Sequence, residues 1–107
     1  MGRDADPLIE RFRREYLPSL RALYAPDAVI AFGSRARGDA LEDSDLDLIV
    51  VSKSFRGMRF IDRPAAVLQA LRPSIPVELL CYTPEEFERK RREAGIVAEA
   101  VSDGIVL

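Results

Sequence analysis

The chain has 107 residues, 48% hydrophobic in dispersed runs and 32% charged, with a net charge of -2. This is the profile of one soluble globular domain with its own core, too short for a catalytic domain plus a substrate domain and not charged as a general nucleic-acid binder would be. Histidine is absent, which removes Ser-His-Asp and Cys-His nucleophiles, imidazole zinc sites and imidazole acid–base chemistry, leaving carboxylates, Lys, Arg and Tyr.

The single Cys81 excludes an intramolecular disulfide framework and a cysteine-cluster metal site, and fits a reducing cytoplasm. No apolar stretch approaches the ~20 residues of a membrane span, and the N-terminus is too charged for a signal peptide. Asp6-Pro7 opens a helix as N-cap and first helical proline. Leu8, Phe12, Tyr16, Leu20, Leu23 and Tyr24 recur at helical spacing to about Tyr24, with Pro18 expected to kink or split the helix. The arginines between them read as a solvated face.

Ala25-Pro26-Asp27 turns the chain into a first strand, Ala28 to Phe32, that ends at Gly33-Ser34. Glycine there allows special backbone angles and close approach of a ligand. A short helix starting near Ser34 would aim backbone N–H groups and a hydroxyl at an anion. The polar connection Gly38 to Ser44 leads to a second strand in which Asp45, Leu46, Asp47 and Leu48 alternate before Ile49-Val50-Val51. Alternation puts Asp45 and Asp47 on one side. Such a pair beside a buried strand raises a carboxylate pKa or costs stability unless a cation neutralises it, and oxygen-only ligands select a hard ion such as Mg²⁺. Ser34, Arg35 and Arg37 suit the phosphates that commonly complete the shell of such an ion.

Ser52 to Met58 has loop character, with Lys53 and Arg56 as candidate nucleotide contacts. Asp62 to Arg72 reads as a helix capped by Asp62, packing Ala66, Val67, Ala70 and Leu71 and ended by Pro73 and Pro76. Val77 to Tyr82 is a third strand with Glu78, Leu80 and Tyr82 on one face. Thr83-Pro84-Glu85-Glu86 is a capping box with proline at the first helical position, and its helix carries Phe87 inward and a solvated ERKRRE run outward. After Gly95, Ile96 to Val101 makes a helical turn or two before a terminal strand, Ile105 to Leu107.

Gly33-Ser34, ten residues, then Asp45-Leu46-Asp47 resembles the GSx₁₀DxD signature of minimal nucleotidyltransferases (MNT), within the DNA polymerase beta-like nucleotidyltransferase superfamily. The strand ending in FGSRARG, the SDLDLIVV strand, the acid-bearing third strand and the TPEEF helix extend the resemblance over most of the chain. It implies an α/β nucleotidyltransferase fold: a small mixed sheet of these three strands with the terminal one, helices mainly on one face, and the first two strands antiparallel. It also implies that Gly33 and Ser34 hold the β/γ-phosphates of a nucleoside triphosphate, with Arg35 and Arg37 beside them. Asp45 and Asp47 would ligate two magnesium ions, with Glu78 as third carboxylate, ligand or base, where the family commonly has Asp. The implied reaction transfers a nucleoside monophosphate, AMP from ATP, to a hydroxyl. Small members of the family are often paired with a HEPN-domain protein in a toxin–antitoxin module, so a tyrosine of such a partner is the expected acceptor. The alternatives are transfer to a small molecule of aminoglycoside type, whose enzymes normally carry an added domain, and a nucleotide-binding or partner-sequestering module without catalysis.

Overall fold

The computed structural model describes residues 6–107. Asp6 caps helix α1 (Pro7–Glu15) as its sequence dictates, its carboxylate accepting from the N–H groups of Leu8 at 2.9 Å and Ile9 at 3.1 Å. A second helix, α2 (Leu17–Tyr24), follows directly. The break falls at Tyr16, because Pro18 has no N–H to continue the ladder and crowds the preceding turn. With proline in its first turn, α2 is a fresh start rather than a bent continuation.

Strand β1 (Ala28–Phe32) leads into the short helix α3 (Gly33–Arg37), and β2 spans Leu46–Val51. Helix α4 (Arg63–Leu71) begins without the expected Asp62 side-chain cap, since that carboxylate accepts instead from Arg59 Nε at 3.1 Å. Strand β3 (Val77–Tyr82) and helix α5 (Pro84–Lys90) keep their expected starts, and both bonds of the Thr83/Glu86 capping box are made. Helix α6 (Ile96–Asp103) runs two residues further than expected, and β4 is reduced to Ile105–Val106.

The sheet order is β3-β2-β1-β4, with β1 antiparallel to β2 and β4, and β2 parallel to β3. The short β1 to β2 connection permits antiparallel pairing, whereas the parallel pair needs the α4 crossover. Side chains alternate across the sheet. Val29, Ala31, Leu46, Leu48, Val50, Leu79 and Cys81 join Ile9, Phe12, Leu17, Leu20 and Val67 in the larger core, under α1, α2 and α4. Ile30, Ile49, Val51 and Tyr82 meet Phe87, Val97 and Ala100 in a smaller one under α5 and α6. The bulk of the helical layer therefore lies on one face, with a thinner cover on the other. The unbroken apolar run at the end of β2 reflects burial on both sides. Cys81 lies wholly in the larger core, where burial pushes its thiol up to about 12, so it is no nucleophile at neutral pH. No described helix is long and apolar enough to cross a membrane.

Candidate active site

The candidate site residues gather on the second face of the sheet. Phe32 ends β1 opposite Asp47, and Asp47 in turn lies opposite Glu78 on β3. The strand register thus brings together two residues 31 positions apart that alternation alone could only put on the same face. Asp45 immediately precedes β2 and is exposed, as is Glu78, whereas Asp47 is half-buried. Burial raises the Asp47 carboxyl above its ordinary range, and the negative fields of Glu78 and Asp45 push it the same way, against a smaller opposing effect of Arg37. A carboxylate in that setting attracts a cation.

Gly33 adopts a φ of +74° between extended Phe32 and the first turn of α3, a conformation in which a side chain is strained. Space is a second reason for glycine: a Cβ at this position would lie 2.5 Å from Asp47 Oδ2. The Gly-Ser turn and the carboxylate strand are therefore in direct apposition, separated only by the absence of a side chain. Gly33→Ala is expected to lower the melting temperature by several degrees through φ strain of about 1 kcal/mol, and transfer by about 10²-fold through displacement of Asp47. Thermal denaturation and initial rates check the two effects separately.

A groove of about 270 Å³ is lined by Phe32, Asp47, Glu78, Leu79, Leu80 and Ile96. A second cavity of about 200 Å³ adjoins Gly33 and also has Phe32 and Ile96 in its wall, together with Arg37, Glu99 and Asp103. Arg37 is exposed and lines this cavity, its Nε in an exposed ion pair 3.3 Å from Asp39 Oδ2. Ser34 is half-buried on the first turn of α3.

Arg35 departs from its expected place among the phosphate contacts. It is 6% exposed, and its guanidinium is spent on the Leu41, Glu42 and Ser44 carbonyls and on the Asp6 carboxylate. Lys53 and Arg56 also lie elsewhere. They follow the C-terminal end of β2, about 15–20 Å along the strand from Asp47, and Arg56 pairs with Glu85. The α5 charge run is largely self-paired, with Glu88 bonded to Arg91 and Arg92 and Lys90 near Glu93, as expected of a solvated face.

The α6 contribution, Ile96, Glu99 and Asp103, went unread in the sequence. The one available signal is that Glu99 and Asp103 are four residues apart and so share a helix face. Among the described residues, no three His, Cys, Asp or Glu side chains are gathered closely enough to hold a metal ion by themselves. The candidate donors are instead Asp47, Asp45 just before its strand, and Glu78 opposite Asp47 on β3. They fit a hard divalent ion of the kind that takes one or two protein carboxylates and completes its shell with substrate phosphates.

A mixed four-stranded sheet with a Gly-Ser turn apposed to a carboxylate strand is the architecture of a nucleotidyl-transferring domain. The profile of the nucleotidyltransferase domain family matches residues 13–104, and the chain belongs to that family. A crystal structure from Sulfolobus solfataricus, provisionally assigned as a nucleotidyltransferase, is 27% identical with a TM-score of 0.62, the match covering 90% of this chain and 76% of that one. BolA1 from Arabidopsis thaliana matches at 22% identity and a TM-score of 0.52 over 72% of this chain and 92% of its own, a likeness of fold alone. No curated protein matches the chain significantly.

Proposed function

We propose that this nucleotidyltransferase transfers AMP from ATP, with Mg²⁺, to a hydroxyl, the acceptor being a tyrosine of a HEPN-domain partner in a toxin–antitoxin module. The observation that supports transfer most directly is the Gly33–Asp47 apposition, because it sets a phosphate seat against the carboxylate that would share the metal. Asp45 and Asp47 would hold the metal. Two magnesium ions held there would supply activation of the incoming hydroxyl and neutralisation of the leaving pyrophosphate.

The chain's own residues do the rest. The Gly33 and Ser34 backbone and the Ser34 hydroxyl hold the β/γ-phosphates, and Arg37 reaches their outer oxygens from the cavity wall. Glu78, opposite Asp47, accepts the acceptor's proton. Positioning and charge neutralisation carry such a reaction, so the absence of histidine is no obstacle. A second reading, a nucleotide-binding module that sequesters its partner without transfer, is favoured by the exposure of Glu78 and by the lack of a three-carboxylate cluster among the described residues.

Incubation with α-labelled ATP and Mg²⁺, with and without the product of the adjacent gene, separates the two readings. Label on the partner with wild type and none with an Asp45→Asn, Asp47→Asn variant is the expected result. Label on an added aminoglycoside instead would reassign the acceptor. ATP binding with no label under any condition would replace catalysis with sequestration.

A further inference from the structure

Arg35 sits one residue beyond the phosphate-holding Ser34, yet turns its side chain inward. Its Nε and Nη2 both donate to the Ser44 carbonyl, at 3.1 and 2.9 Å, and Nη2 also reaches the carbonyls of Glu42 at 2.8 Å and Leu41 at 3.3 Å. Nη1 lies 3.2 Å from Asp6 Oδ2, in an ion pair whose members are 6% and 11% exposed. Only arginine offers so many donors in one rigid plane.

What this fork holds is the connection that delivers the metal carboxylates. Residues 38–45 form no helix or strand. Asp45 lies just outside β2, so no ladder bond fixes it. Its backbone is pinned by its neighbours: on one side the Ser44 carbonyl, bound by Arg35, and on the other the Leu46 N–H, which donates to Pro76 O at 2.9 Å. The first of those anchors is carried by α3, the helix whose first turn forms the phosphate seat. A buried guanidinium thereby ties the phosphate seat, the carboxylate loop and the capped end of α1 into one unit.

We propose that Arg35 is a positioning residue, which fixes Asp45 against Asp47 and couples the Gly33-Ser34 turn to the metal carboxylates. The inference rests on the reading of Asp45 and Asp47 as metal ligands. Lysine at this position keeps the charge but cannot serve several carbonyls at once, so Arg35→Lys should free the loop while the cores stay intact.

The test compares Arg35→Lys with Asp6→Ala, which removes the α1 cap and the ion pair but leaves the carbonyl contacts in place. Four readouts are taken: melting temperature, metal-free amide exchange over residues 41–47, Mn²⁺ affinity by electron paramagnetic resonance, and turnover with ATP. Arg35→Lys is expected to speed exchange and weaken Mn²⁺ binding by about tenfold or more, whereas Asp6→Ala, though less stable, stays within about twofold of wild type in both. In turnover, kcat of Arg35→Lys falls while KM for ATP holds. Unchanged exchange in Arg35→Lys, or losses in both variants that merely track melting temperature, would overturn the positioning role. Wild-type protein that binds no Mn²⁺ would overturn the metal reading instead, and the exchange comparison would still decide whether Arg35 fixes the loop.

Discussion

Asp47→Asn is expected to reduce nucleotidyl transfer by about 10³-fold or more while making the protein more stable at neutral pH. The loss follows from removing a charge at the proposed reacting centre, where preorganised electrostatic groups contribute most to rate. The gain follows from what the folded protein imposes on this carboxyl. Burial, then Glu78 and Asp45, raise its pKa. A carboxyl whose folded pKa lies above its unfolded value binds its proton more tightly in the folded state. Its stabilising contribution is complete below the unfolded pKa and is lost as pH rises through the folded value. At neutral pH, ionised Asp47 therefore works against the fold, and asparagine relieves it.

The melting-temperature difference between variant and wild type should be positive at pH 7 and shrink towards zero below the carboxylate range. Saturating Mg²⁺ should reverse the order at pH 7. A ligand at about a hundredfold excess over its Kd stabilises wild type by about 2.7 kcal/mol, and the variant lacks that linkage. Melting curves with and without Mg²⁺ at several pH values check both statements. A variant no more stable than wild type at pH 7 without metal would show that Asp47 bears no electrostatic strain.

That expected opposition between stability and activity is also what made the candidate site legible in the sequence. Two aspartates at alternate positions before an apolar strand are a poor choice for folding, and a glycine before serine at the end of the preceding strand is a poor strand residue. Such local costs mark a site. The strand limits were readable for a related reason: Val77–Tyr82 and Ala28–Phe32 are bounded by prolines, glycine or turn residues that permit little else. The role of Arg35 was not readable, because an arginine inside a phosphate-binding turn has the same letter whether its side chain faces the groove or the loop behind it. Only packing decides, and here the carbonyls of Leu41, Glu42 and Ser44 claim it. The helix at Ile96 was readable, but its place beside Gly33 was not, for the same nonlocal reason. Nothing within Ile96–Asp103 states that it returns to β1 and walls the cavity beside Gly33.

Arg63→Ala is expected to cost the most stability, about 2–3 kcal/mol from the hydrogen-bond acceptors it strands, a large share of the roughly 5–15 kcal/mol that holds a domain of this kind together. The sequence gives Arg63 no distinction, as the residue before Pro64 at the start of a helix. In the fold it is 4% exposed, with its guanidinium 6.0 Å from the Phe55 ring centroid and 5.7 Å from that of Phe60. Nη1 donates to the Cys81 carbonyl at 3.1 Å, while Nε and Nη2 donate to Met58 O at 3.1 and 2.8 Å. The ion pair with Glu86 is two-pronged, at 2.6 and 3.2 Å. Glu86 also accepts from the Thr83 N–H in the capping box of α5, so this one side chain joins the loop before α4, the end of β3 and the start of α5. Alanine would leave buried carbonyls without donors and Glu86 without its partner, the costly way to break such a site. Arg63 also holds the Glu86 carboxyl below its ordinary range, chiefly through their hydrogen bond. A depressed carboxyl contributes stability that is present above its unfolded pKa and lost as pH falls through the folded one, so Arg63→Ala should flatten the acid limb of the stability profile. Arg63→Met with Glu86→Gln, which removes both charges and keeps the bulk, should recover part of the loss. Urea unfolding of the three proteins from pH 3 to pH 7 measures all of this. A single variant within about 1 kcal/mol of wild type, short of what the unsatisfied groups should cost, would show that Arg63 is not what fastens α5 to the sheet.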